Sequence, residues 1–220
     1  TNLDDADSVV VTSGTADVIQ AADIQGIAGY DGSASDYDIT DTAAALISAN
    51  DDVLNVTGVD VVTVNDGATS ANDGAILAGF TADVEFDVAD DAGALISVMG
   101  TNDPASSLVE ANSITGDNNG FGDRVVNAND GAVLAGFTAD VDFDVVDNAN
   151  AVAAEITGAG NGLGDLDEAA DVVVISGDVN TADAAAIQQI SEYNASGSDY
   201  EITDNAAAVI SAGNSVIEND

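Results

Sequence analysis

Apolar and polar positions alternate over short stretches of this chain and then give way to alanine-rich runs. In Val84-Glu-Phe-Asp-Val88 every second residue is apolar and the residues between are acids, the period of a strand with one buried face. Val59-Asp-Val-Val-Thr-Val64 reads as a second strand, and Ser8-Val-Val-Val11 as apolar strand sequence near the start. Asp90 or Asp91 precedes Ala92-Gly-Ala-Leu-Ile-Ser-Val-Met99, an N-cap followed by a short helix. Asn72-Asp-Gly-Ala-Ile-Leu-Ala-Gly79 reads as another short helix. Thr15-Ala-Asp17 and Thr181-Ala-Asp183 open two more, expected to end near Gly29 and Tyr193. Acids at these starts sit where the helix dipole favours negative charge.

The pattern repeats. Ala71-Asn-Asp-Gly-Ala-Ile-Leu-Ala-Gly-Phe-Thr-Ala-Asp-Val-Glu-Phe-Asp-Val88 recurs almost unchanged from Ala128 to Val145. Ser35-Asp-Tyr-Asp-Ile-Thr-Asp-Thr-Ala-Ala-Ala-Leu-Ile-Ser-Ala49 returns from Ser198 to Ala212. All four copies share one phrase: aromatic, acid, Ile or Val, any residue, Asp, then an Ala-rich apolar stretch. It starts at Tyr37, Phe86, Phe143 and Tyr200. The units run approximately 8–56, 57–113, 114–170 and 171–220 in the order A-B-B-A, with the outer two most alike.

Each unit therefore reads strand–helix–strand–helix, and alternating strands and short helices predict mainly parallel strands. Helices this short do not cover a wide doubly wound sheet, whereas stacked units bury each other's faces. The expectation is an α/β repeat solenoid forming a single domain over 1–220. The alternative is an all-β sandwich or β-solenoid in which the short helices are turns. Asn102-Asp-Pro-Ala-Ser-Ser107, with the only Pro, reads as a loop between units. The four repeating phenylalanines Phe80, Phe86, Phe137 and Phe143, with Tyr37 and Tyr200, are expected in the core.

Composition narrows the function. One Lys+Arg against 41 Asp+Glu gives a net charge of −40. About a quarter of the residues are Val, Ile, Leu or Phe, above the level at which so charged a chain stays disordered. A surface whose single cation is Arg124 does not neutralise phosphates, which excludes nucleic acid and anionic membrane as partners. Arg124 itself reads as one half of a surface ion pair. There is no His, Lys, Cys or Trp, hence no Ser-His-Asp or Cys-His triad, no ordinary zinc site and no Schiff-base lysine. Carboxylate chemistry alone survives, and with 4% aromatics a sugar cleft lacks its platforms. No enzyme is expected. The longest apolar runs, such as Asp171-Val-Val-Val-Ile-Ser176, fall short of the roughly 18 residues that cross a bilayer. The chain begins at Thr1 without Met or a signal-peptide pattern, which fits either a removed leader or an excised portion. Asn55-Val-Thr57 and Asn194-Ala-Ser196 fit the N-glycosylation triplet.

Two Gly-rich acidic loops carry candidate chemistry. Gly116-Asp-Asn-Asn-Gly-Phe-Gly-Asp123 and Gly158-Ala-Gly-Asn-Gly-Leu-Gly-Asp-Leu-Asp167 both contain Asn-Gly-(Phe/Leu)-Gly-Asp. Calcium takes six to eight oxygens on a tightly turning chain. Asp117, Asn119 and Asp123 form one candidate ligand set, and Asn161, Asp165 and Asp167 the other. Only 7 of the 41 acids are Glu, and tight calcium loops prefer the shorter carboxylate. The competing reading is that Gly and Asn make turns while the acids keep the surface solvated. These loops resemble in part the Gly-Gly-x-Gly-x-Asp nonapeptides of bacterial repeats-in-toxin proteins, without the full motif or its tandem array. Gly177-Asp-Val-Asn-Thr-Ala-Asp183 resembles a dockerin calcium loop lacking its Asp-Gly pair.

Phrases such as Tyr-Asp-Ile-Thr-Asp-Thr-Ala-Ala-Ala-Leu resemble those of large secreted bacterial repeat proteins of adhesin, surface-layer or extracellular-fibre type. The resemblance implies an extracellular or cell-surface structural role and carries no catalytic residue. The expected function is a structural protein that self-associates head-to-tail into a homopolymer: a filament, sheath or surface lattice, calcium-stabilised. The acidic lead of Asp4, Asp5 and Asp7 with Ser8–Val11 is the expected strand-adding arm, and Ser215-Val-Ile217 marks the opposite end. A monomeric adhesin or stalk module is the alternative, its ligand unidentified. A halophile protein acidic only for solvation is a third reading, and a carboxylate-based glycosidase a remote fourth.

Overall fold

The computed structural model describes residues 6–49, 51–100, 108, 110–117, 124–137, 139–157, 166–213 and 216. It is a mixed α/β structure with parallel strands, as expected, and not the all-β alternative. The chain divides into two compact units, Thr1–Ala89 with Ser107–Ser113, and Asp90–Ser106 with Ile114–Asp220.

The first unit runs β1 (Thr15–Ala16), α1 (Val18–Gln25), β2 (Tyr37–Asp41), α2 (Ala43–Ala49), α3 (Asp51–Leu54), β3 (Val59–Val64), α4 (Ala71–Leu77) and β4 (Val84–Glu85), and enters β5 (Asp87–Asp91). Its sheet has the order β1-β2-β3-β4, all parallel, with Thr15 opposite Asp38, Ile39 opposite Val62, and Val62 opposite Val84. Each strand therefore leads through a helix to its own neighbour. The apolar residues of the alternating strands turn to the helices: Ile39, Val62, Leu46 and Leu77 are at most 1% exposed.

The second unit continues with α5 (Ala92–Met99), β6 (Ser113–Asp117), β7 (Val125–Val126), α6 (Ala128–Ala135), β8 (Val141–Asp142), β9 (Asp144–Asp147), α7 (Ala149–Thr157), β10 (Asp171–Val174), β11 (Asp178–Val179), α8 (Thr181–Ile187), β12 (Glu201–Ile202) and α9 (Ala206–Ala212). β6 pairs with β8, β7 with β9, β9 with β10, and β11 with β12, all in parallel. Its helices pack in chain order, α5 on α6, α6 on α7, α7 on α8 and α8 on α9.

Two kinds of strand–helix module recur. A leading module has a short strand or a bridged residue, then a capping side chain and a helix. Its caps are Asp17, Ser70, Asn127 and Asn180, each accepting from a backbone N–H in the first helical turn. A trailing module carries the shared phrase and goes straight from strand to helix. Its aromatic residue marks an irregularity: the strand breaks at Phe86 and Phe143, and the register shifts between Tyr37 and Ile39. These three rings are buried. Tyr200, Phe80 and Phe137 are only half-buried, so the expected aromatic core is smaller than the repeat implies.

Helix ends also depart from expectation. α1 stops at Gln25 and α8 at Ile187, well before Gly29 and Tyr193. The following residues are drawn into strand contacts, with Tyr30 bridged to Val9 and Tyr193 bridged to Val172. Tertiary pairing outcompetes the helical propensity of a short segment.

Candidate functional site

Both calcium loops fall largely outside the described residues: Asn119, Asp123, Asn161 and Asp165 lie beyond them, and the side chains of Asp117 and Asp167 are not described. Among the described residues no three acidic side chains are grouped to hold a metal ion. Many acids have instead a backbone partner. Asp147 Oδ2 accepts from the Ala128 N–H that opens α6 (3.0 Å), and its Oδ1 from the Asn148 N–H (2.7 Å). Asp41 does the same for Val18 (3.1 Å) and Thr42 (2.8 Å). Asp204 Oδ2 takes the Thr181 N–H (3.2 Å) and hydroxyl (2.8 Å), and Oδ1 the Asn205 N–H. Asp41, Asp147 and Asp204 thus each clasp the helix start of the leading module before them. These hydrogen bonds, the Thr181 hydroxyl first, hold the Asp204 carboxyl below its ordinary range. Asp51 is lowered likewise, chiefly by the Thr81 N–H at 2.9 Å. A short carboxylate reaches a neighbouring backbone N–H where a longer one overshoots, so capping accounts for part of the preference for Asp over Glu.

The single cation stands on an unusual backbone. Three residues before their caps, three leading modules hold Gly14, Gly67 and Gly177, all at positive φ. In the fourth module that place belongs to Arg124, at φ 57°. An L-residue there is disfavoured by about 1 kcal/mol relative to glycine. Arg124 Nη1 lies 2.6 Å from Asp142 Oδ2, and Nη2 lies 3.6 Å from Asp144 Oδ2. Among the described residues the buried Asp144 Oδ1 has no hydrogen-bond partner. Burial is the main cause that raises its carboxyl above the ordinary 3.8, with Asp171 and Asp142 adding repulsion and Arg124 opposing.

A raised carboxyl favours the protonated form, so ionised Asp144 opposes folding above its folded pKa, and the opposition fades as pH falls through it. Asp144→Asn should therefore raise the melting temperature at pH 7 by a few degrees, with a smaller gain near pH 4. A lower melting temperature at pH 7 would show that attraction to Arg124 outweighs burial.

The B units each hold a cleft where the A units place a glutamine. In the A units Gln25 Nε2 donates to Tyr37 Oη and to the Val53 carbonyl, both at 2.9 Å, and Gln188 donates to Tyr200 Oη and the Val216 carbonyl. Burial pushes the Tyr200 phenol up to about 12, against the Gln188 hydrogen bond. The B units have Ala78 and Ala135 in place of Gln. There, clefts of about 340 and 330 Å³ open over Leu77, Phe80 and Val84, and over Leu134, Phe137 and Val141. Asp83 and Glu110 line the first, Asp140 and Glu168 the second. Phe80 and Phe137, expected in the core, line these clefts instead, and the Gln-to-Ala difference marks the place in the sequence.

The end modules have open faces. Val172 and Val174 are 0% exposed, whereas Val9 and Val11, their matches in the first leading module, are half-exposed and Val10 is 40% exposed. Of the expected strand-adding arm, Asp4 and Asp5 lie outside the described residues, and residues 8–11 bond along one edge: Val9 N–H donates to the Gly29 carbonyl, and the Asp31 and Asp36 N–H groups donate to the Val9 and Val11 carbonyls. At the other end α9 has no buried residue, and Ile210 is 80% exposed. Among the described residues no helix is long and apolar enough to cross a membrane. We found no protein-family model, no curated protein and no solved structure that matches this chain.

Proposed function

We propose that this is an extracellular structural protein whose strand–helix modules stack as a solenoid and whose copies join head-to-tail into a filament, sheath or surface lattice. The open C-terminal module carries this reading. α2 and α9 share the sequence Ala-Ala-Ala-(Leu/Val)-Ile-Ser-Ala, yet α2 buries Ala43 and Leu46 while α9 buries nothing. Within the first unit α2 packs against α4 of the following leading module. An exposed apolar helix face whose counterpart on α2 is buried supports a joining surface there. The chemistry that the composition excludes and the resemblance to secreted bacterial repeat proteins support the same role.

Calcium belongs to this proposal. At −40 per chain, self-repulsion opposes association, and monovalent salt screens only beyond a Debye length of about 8–10 Å. Bridging of carboxylates by calcium favours the assembled state more strongly. Negative-stain microscopy and melting should be compared in millimolar calcium and in EDTA at fixed ionic strength. Filaments or lattices, with a higher melting temperature in calcium, are the expected result. Single particles in both would overturn assembly, and equal assembly and melting in both would overturn the calcium role. The paired acid-rimmed clefts favour the second reading, a monomeric binding or stalk module, which the single-particle outcome would leave standing.

A further inference from the structure

Resting on the head-to-tail reading, we infer that the joint between copies reproduces, residue for residue, the β9–β10 joint inside the chain. In that joint Asp171-Val-Val-Val174 lies parallel to Asp144-Val-Val-Asp147, with Val172 opposite Val145 and Val174 opposite Asp147. Two further bonds seal it: Ile175 N–H to the Asp147 carbonyl at 3.0 Å, and Ala149 N–H to the Ser176 carbonyl at 2.7 Å. Both halves recur at the ends of the chain. Ser8-Val-Val-Val-Thr-Ser-Gly14 matches Asp171-Val-Val-Val-Ile-Ser-Gly177, and Tyr200-Glu-Ile-Thr-Asp-Asn-Ala206 matches Phe143-Asp-Val-Val-Asp-Asn-Ala149.

The backbones agree as well. Val9 and Val172 each bond along one edge in the same way: Val9 N–H to Gly29 and Val172 N–H to Glu192, Asp31 N–H to Val9 and Asn194 N–H to Val172. Val11 N–H and Val174 N–H each take a serine hydroxyl, Ser35 at 3.1 Å and Ser198 at 3.0 Å. The difference lies on the other edge. There Val172 and Val174 carry β9, while among the described residues Val9 and Val11 carry no strand. In the trailing module Val145 is 0% exposed, and its match Ile202 is half-exposed on β12, an end strand of its sheet. A second copy of this chain fits both edges, because each edge repeats one half of the inner joint.

The register follows from the inner joint. Glu201, Ile202, Thr203 and Asp204 of one copy lie opposite Ser8, Val9, Val10 and Val11 of the next. The Ala206 N–H meets the Ser13 carbonyl, and α9 packs on the neighbouring α1 as α7 packs on α8. The charge pattern favours the contact. The inner joint sets Asp144 opposite Asp171, a like-charge pair, whereas the joint between copies sets Glu201 opposite Ser8.

The chain has no cysteine, so disulfide trapping reads the register directly. The double variant V10C/T203C places its thiols on opposed positions of adjacent strands, within the Cα separation a disulfide bridges. Oxidised under assembling conditions, it should give a ladder of multimers on a non-reducing gel. V10C/E201C, two residues out of register, should give no ladder. Ile202→Asp should abolish filaments in the microscope with circular dichroism unchanged. Filaments that persist in I202D, or that form while the matched pair stays monomeric on the gel, would overturn this register and leave head-to-tail assembly standing. Single particles from the unsubstituted chain under every condition would overturn both.

Discussion

Gly131→Val should destabilise the protein by about 3 kcal/mol, near the upper end of overpacking penalties. Gly131 lies inside α6, where glycine costs roughly 1 kcal/mol against alanine, so its presence needs a packing reason. The reason is contact: a Cβ there would stand 2.8 Å from Val145 Cγ2, 3.2 Å from Phe143 Cε2 and 3.3 Å from Val126 Cγ2. All three neighbours are buried. Gly74 in α4 meets Val88, Phe86 and Leu108 in the same way. The comparison is Gly93 in α5, which is exposed and whose added Cβ meets only Asp91 Oδ1 at 3.1 Å. Gly93→Ala should be neutral or stabilising. Urea unfolding of the two variants tests the assignment, and equal shifts in midpoint would refute the close approach of α6 to its strands.

Asp147→Ala should cost about 1–3 kcal/mol, the penalty for leaving a buried donor unsatisfied. Asp147 accepts from the N–H of Ala128, a residue that is 0% exposed, so water does not replace the lost acceptor. Asn148 loses partners for both its backbone N–H and its side-chain amide. Asp60→Ala is the control. It removes an exposed acid of β3 and relieves the same unit of charge, and it should leave stability unchanged or slightly higher. If the two variants melt alike, the acids act through charge alone and the clasp contributes nothing.

Local pattern carried much of this fold. The alternation of Val59–Val64 is β3, and Asp91 caps a helix over Ala92–Met99 as its sequence predicts. The resolution of each unit into two strand–helix modules follows from turn chemistry and helix starts. Partnerships over long sequence separations were not legible. Nothing near Asp147 or Asp204 marks Ala128 or Thr181 as the group it caps, because the strand pairing that joins them is set by packing. Arg124 was readable in part, since aligning the modules on their caps places it in a column with Gly14, Gly67 and Gly177. Its partners Asp142 and Asp144 lie on strands that follow a helix, and chain proximity points instead to Asp123. Both candidate calcium loops fall largely outside the described residues.

The clasp also constrains how such a gene can lengthen. A trailing Asp closes the helix of the leading module before it, and the turn of the next leading module receives the first N–H of the trailing helix, as Ser176 does for Ala149 and Asp66 for Ala43. The two kinds of module therefore depend on each other in alternation. Duplicating one module alone would set like against like and leave a helix start unclasped. Duplicating a pair keeps both kinds of contact, and the near-identical stretches beginning at Ala71 and Ala128 have the spacing of one such pair. Heritable growth by even steps keeps the chain foldable at each length, and unequal recombination between those stretches would shorten it by the same step.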